Sequence, residues 1–218
     1  WNRYYVLGGN RMKNFRKIIE EHVARNIKIY TILVILFFIG LITGIIMVNT
    51  LDVSEKAEIS AYINDFIGKL KSGTSLDYLL LLKNSFVNNF IIVFILWFMS
   101  MVVIGIPVVY GTIAYKGFCI GYTISAAVIT LGTGKALLFT LTAMLLNNII
   151  LLPSIFLGAT SGINLYHSIL KDRGKENIKL EIIRHTIMSI IIVAITLLAS
   201  IVETYVSSNL LISISKYL

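Results

Sequence analysis

Charge is scarce in this sequence. Asp, Glu, Lys and Arg make up 14% of its 218 residues, 57% are hydrophobic, and the mean hydropathy is +0.85. A water-soluble domain carries about 25% charged residues, so the composition excludes one and indicates an all-α polytopic membrane protein, with one integral membrane domain over residues 12–218. Cysteine is nearly absent. Cys119 stands alone, which excludes an intramolecular disulfide and a cysteine-cluster metal site and leaves it a packing role. Histidine is rare as well, with His22, His167 and His185 scattered along the chain. No Ser-His-Asp, Cys-His, paired-carboxylate or HExxH spacing occurs, so no catalytic site, cofactor or metal is expected. The net charge of +8 admits nucleic acid as a partner. Long apolar runs separate the basic residues, however, and no basic-aromatic platform appears, so none is expected.

What is present is a succession of apolar runs with polar joints. Residues 1–11 do not fit the pattern that begins at Met12 and read as a non-native or mis-assigned extension. Residues 12–28 set an apolar stripe of Phe15, Ile18, Ile19, His22 and Val23 against a basic face. This is a cytoplasmic amphipathic helix, suited to an anionic leaflet or, alternatively, to a cytosolic partner. Residues 29–50 carry no charge over 22 positions, and about 20 suffice to cross a hydrocarbon core. Within this first span Gly40 and Gly44 form GxxxG, read first as packing inside the chain and second as a homodimer face.

Residues 51–88 read as two extracytoplasmic amphipathic helices. Asp52 and Glu55 have capping-box spacing, and Ile59, Tyr62, Ile63, Phe66, Ile67 and Leu70 make one stripe. The second helix begins at Ser75 and feeds the next span. Tyr62, Phe66, Tyr78 and Phe86 on these helices are the expected partner-binding residues, together with grooves between spans that accept the membrane anchors of partners.

Residues 90–115 form the second span, which Pro107 is expected to kink, with Lys116 at its inner boundary. The third run, residues 118–131, has only 14 residues. That is about 21 Å of helix against a core of about 30 Å. Either the helix starts earlier, near Gly111, or residues 118–157 are re-entrant. Residues 132–135 resemble a phosphate loop, but Ile129 and Ala136 stand where Gly and Ser or Thr are required. Residues 136–157 form the fourth span. Its Asn147 and Asn148 are expected to bond backbone groups freed by Pro107 or Pro153, with substrate binding as the second reading. Residues 185–206 form the last span, with Glu203 near its outer, hydrated end. Lys135 is expected near the same face, and the two are read as an ion pair.

Basic residues set the orientation. Residues 1–28 hold seven Lys or Arg and residues 159–185 hold five, whereas residues 51–88 hold four against five acids. The positive-inside rule places the N-terminus in the cytoplasm, and five crossings leave the C-terminus extracytoplasmic.

The segments HVARNIKIYTILVILFFIGLITGIIMVNTL, KGFCIGYT and LLNNIILLP, in this order and spacing, resemble the stage II sporulation protein M family of endospore-forming bacteria. The resemblance covers residues 12–218. It implies a mother-cell protein of the septal membrane, a non-enzymatic scaffold that localises peptidoglycan hydrolases for engulfment of the forespore. The implied partners are stage II sporulation protein P, an amidase and endopeptidase, and stage II sporulation protein D, a lytic transglycosylase, besides the lipid bilayer. The residues leave an alternative from another class, a small permease or transporter membrane subunit. Broken helices and buried amides favour it, and the lack of ionisable residues at mid-membrane depth opposes it.

Overall fold

The computed structural model describes residues 17, 20–72, 77–102, 104–171 and 177–217. Residues 1–11, most of the basic segment before residue 20, the break after Ser72 and the turn around Gly174 lie outside the described residues. Among the described residues all regular structure is helical.

After a helical segment over residues 20–25, α1 spans Ile27–Thr50. Its outward residues Ile35, Phe38, Ile42 and Ile46 are each more than half exposed, an apolar surface suited to lipid. Helix α2, Val53–Lys71, is amphipathic and starts at a capping box in which the Asp52 backbone N–H donates to Glu55 Oε2 at 3.1 Å. Its inner residues Ile67 and Leu70 cluster with Ala127, Ala136, Phe139 and Leu211, so α2 caps one end of the bundle. The second amphipathic stretch is not a separate helix: it is the start of α3, Tyr78–Ser100, which is continuous. Asp77 caps it, accepting from the backbone of Leu79 and Leu80 at 3.1 and 3.0 Å.

The boundary between the second and third spans differs from expectation. The second span ends at Ser100, and Pro107 does not kink it. Instead Pro107 sits in the first turn of α4, Ile106–Leu131, where its missing N–H costs nothing and its fixed φ favours a helix start. With 26 residues, α4 extends for about 39 Å, long enough to cross as a full span. The helix is not short, since it begins five residues before Gly111. Lys116 therefore lies well inside α4, not at its boundary.

Gly132 turns the chain with φ of 77°, a value that favours glycine, into α5, Thr133–Thr140. One π turn, Leu141–Leu145, leads into α6, Leu146–Lys171, which carries Pro153 inside it. Helix α7, Asn177–Ile201, continues through a second π turn, Val202–Ser207, into α8, Ser208–Ser215. Among the described residues five segments are long and apolar enough to cross a membrane: α1, α3, α4, Leu146–Leu170 and Ile178–Ser215. The chain is an all-α multi-pass membrane protein.

The tightest contact joins α1 to α4. A Cβ on Gly40 or Gly44 would strike the carbonyl oxygen of Ala114 or Phe118, and one on Gly117 or Gly121 would strike that of Phe37 or Leu41. Two GxxxG stripes thus face each other, and the backbones touch. The larger core lies beside this crossing, where Leu33, Leu96, Val109, Ile113, Leu151, Ile155 and Ile163 are fully or almost fully buried.

Candidate functional site

The polar centre of the bundle is Glu203, held in the second π turn. Ser85 Oγ, from α3, donates to Glu203 Oε2 at 2.6 Å, and Asn147 Nδ2, from α6, donates to the same oxygen at 2.6 Å. Below it, Asn89 Nδ2 of α3 donates to Ser200 Oγ of α7 at 3.2 Å. Three spans are therefore joined through side-chain polar atoms. Ser85 is seven residues into α3, so this centre lies about 10 Å from that end of the helix. Because the last helix runs on to Ser215, Glu203 is farther from its end than the sequence suggested.

The remaining polar atoms around the centre are sparsely satisfied. Asn147 Oδ1, Thr204 Oγ1 and Ser207 Oγ are buried without hydrogen-bond partners. Glu203, Thr204, Ser207 and Ser85 also line a cavity of about 280 Å³, closed on one side by Phe66 and Phe139. The second π turn supplies Glu203, Thr204 and Ser207, and π turns commonly mark functional sites because they break the i to i−4 ladder.

Lys116 stands across from this centre. It is half-buried in α4 beside a second cavity, of about 590 Å³, whose walls include Asn88, Asn89, Tyr115 and Cys119. Lys116 and Glu203 are thus both ionisable side chains carried within candidate spans. The sequence reading missed Lys116 because it took a charged residue as the end of a span.

Several expected site residues fall elsewhere. Lys135 and Glu203 form no ion pair; the Glu203 carboxylate takes its hydrogen bonds from Ser85 and Asn147. Neither asparagine serves Pro107 or Pro153, since Asn147 bonds Glu203 and Asn148 Nδ2 donates to Met144 O at 2.9 Å. Tyr62 is 76% exposed on the outer face of α2, but Phe66 is turned partly over the Glu203 cavity. Tyr78 stacks on Tyr205 with centroids 5.5 Å apart and donates from its hydroxyl to Asn209 at 3.0 Å. Phe86 begins a ladder of rings along α3 through Phe90, Phe94 and Phe98. The four aromatics do not form one patch. Between α3 and α7 runs an apolar groove of about 270 Å³, lined by Phe90, Phe94, Trp97, Ile190 and Val193.

The histidines are not scattered in space. All three line a cavity at the Asn26 end of the bundle. His185 Nδ1 lies 3.0 Å from Ser161 Oγ. Its Nε2 is buried with no hydrogen-bond partner, so the pair lacks the orienting acid of a hydrolytic triad. Among the described residues no group of three or more His, Cys, Asp or Glu could hold a metal ion.

Comparison with known proteins places this arrangement. No curated protein and no solved structure matches the chain. The family described as stage II sporulation protein M matches residues 33–208, which run from inside α1 to the first residue of α8. That stretch includes both glycine stripes, Lys116, Asn147 and Glu203. The chain belongs to the stage II sporulation protein M family.

Proposed function

We propose that this sporulation-related membrane protein is a non-enzymatic scaffold that holds peptidoglycan hydrolases at the septal membrane of the mother cell during engulfment. The partners are stage II sporulation proteins P and D. Family membership supports the setting, and the observation that carries the scaffold role is α2. This helix lies across one end of the bundle and keeps Tyr62, Glu55, Glu58 and Asp65 exposed on the face turned away from the core. Such a face can be gripped without disturbing the spans. The apolar groove between α3 and α7 is a second surface, shaped for the single membrane anchor of a partner.

The positive-inside rule orients the molecule with the Asn26 end in the cytoplasm. The linker between α3 and α4 carries no charge, so the orientation rests on the basic residues of 1–28 and 159–185. The α2 end then faces the wall, where the hydrolases work.

Tyr62→Glu is the cleaner test of α2, since Phe66 also covers the Glu203 cavity. Stage II sporulation protein P should no longer co-purify with that variant. Full recovery with a correctly inserted variant would end the reading.

One observation favours a second reading, a small permease. Lys116 and Glu203 lie at depth, each beside its own cavity. Proton flux into proteoliposomes that Glu203→Gln abolishes would support it. Flux no greater than in empty vesicles would remove it.

A further inference from the structure

The cavity at the Asn26 end has a volume of about 610 Å³, and five of its lining side chains are cationic or can become so: His22, Arg25, His167, Arg184 and His185. They come from the segment before α1, from α6 and from α7, which the sequence separates widely. Glu181 is the one carboxylate on the described wall. It is occupied by Arg184, whose Nη1 donates to its Oε1 at 2.8 Å. A guanidinium has five donor hydrogens, so this bond leaves most of the Arg184 fork open. Arg25 and His167 are exposed toward solvent, and His22 Nε2 is buried with no hydrogen-bond partner.

The wall is built, not incidental. Asn164 Nδ2 of α6 donates to Asn26 Oδ1 at 2.9 Å, and Asn26 Nδ2 donates to His22 O at 2.9 Å. Those bonds pin the segment carrying His22 and Arg25 against α6. His185 is 2% exposed and fixed by Ser161. Donors therefore exceed acceptors around a preformed space, with two permanent positive charges against one negative. This is the environment of an oxyanion with several oxygens, which a guanidinium fork engages in pairs. The site lies where α1 begins and α6 ends, at the ends of two candidate spans, and basic pockets between helices at such ends take headgroup phosphates.

We propose that this cavity binds a phosphate group. The group belongs either to an anionic phospholipid of the adjoining leaflet or to a soluble phosphate compound. Neither the scaffold nor the permease reading is required for this binding.

The full chain in a neutral detergent tests it. Native mass spectrometry measures retention of phosphatidylglycerol against phosphatidylcholine, and thermal unfolding at constant ionic strength measures the effect of inorganic phosphate. Each arginine near a headgroup changes affinity about fivefold, so Arg25→Ala should lower phosphatidylglycerol retention by about that factor. Arg25→Lys should retain most of it. Preference for phosphatidylglycerol that Arg25→Ala removes, without a phosphate effect, assigns the lipid. Stabilisation by inorganic phosphate in lipid-free protein, lost in Arg25→Ala, assigns a soluble source. His167→Ala, at an exposed position, gives the same reading should Arg25→Ala unfold. Equal phosphatidylglycerol retention by the native chain and both variants, with no phosphate effect, would overturn the proposal.

Discussion

Gly121→Ala probes how closely α1 and α4 must approach. The added methyl would meet the Leu41 carbonyl oxygen, a backbone atom that cannot rotate aside, so the two helices must move apart. Overpacking of this kind costs about 1–3 kcal/mol, and separation also weakens dispersion contacts along both stripes. We expect a loss of about 2 kcal/mol, roughly a thirtyfold shift in the folding equilibrium. The same helix supplies the control. A methyl on Gly111 meets nothing within 4 Å, so Gly111→Ala should stay within about 0.5 kcal/mol of the native chain. Reversible unfolding in mixed micelles, followed by steric trapping or circular dichroism, measures both. Gly40→Ala combined with Gly117→Ala should cost less than the sum of the single changes, because one separation of the helices relieves both collisions. If Gly121→Ala and Gly111→Ala prove equally stable, the backbone contact does not set the approach. If Gly40→Ala changes only the oligomeric state, the stripe serves a dimer and not the fold.

Three other outcomes follow from the geometry. Glu203→Leu leaves Ser85 Oγ and Asn147 Nδ2 unpaired, at about 1–3 kcal/mol for each orphaned group, whereas Glu203→Gln keeps an acceptor and should lose no more than about 1 kcal/mol in the same unfolding measurement. Equal losses would show that the carboxylate does not join the spans. In a Cys119→Ser background, cysteines placed at Arg25 and Lys135 should react with a membrane-impermeant maleimide from opposite sides; labelling from one side would restore the re-entrant arrangement. Asp52→Ala should destabilise α2 by about 1 kcal/mol through loss of its cap, read as faster amide exchange over Val53–Lys71, while the exchange of α1 stays unchanged.

Much of the architecture can be read from hydropathy, because a lipid-facing helix must be apolar along its whole length. The first span shows this directly, as does the capping box before α2. The errors came from residues with two physical meanings. Pro107 breaks a helix when it is interior and starts one when it is in the first turn, and only the partner of the preceding carbonyls decides which holds. Lys116 reads as a boundary when charge is assumed to mark water, yet it lies ten residues into α4, beside a cavity. Gly117 and Gly121 show the same GxxxG spacing as Gly40 and Gly44, but spacing on one helix does not name the stripe on another. The histidine cavity was illegible for a related reason. His22, His167 and His185 belong to no common local pattern, and only the packing of α6 and α7 against the first segment unites them.

The π turn at Val202–Ser207 makes the last helix sensitive to length as well as to composition. A residue beyond an α-helical register shifts everything after it by about 100° around the axis. The face of α7 that meets α3 and the face of α8 that carries Leu211 to Ile67 and Leu70 are brought into phase by that surplus. Deleting one apolar residue from the turn would leave the hydropathy of the span nearly unchanged. It would nonetheless rotate Leu211 away from α2 and move the cap of the bundle off its seat.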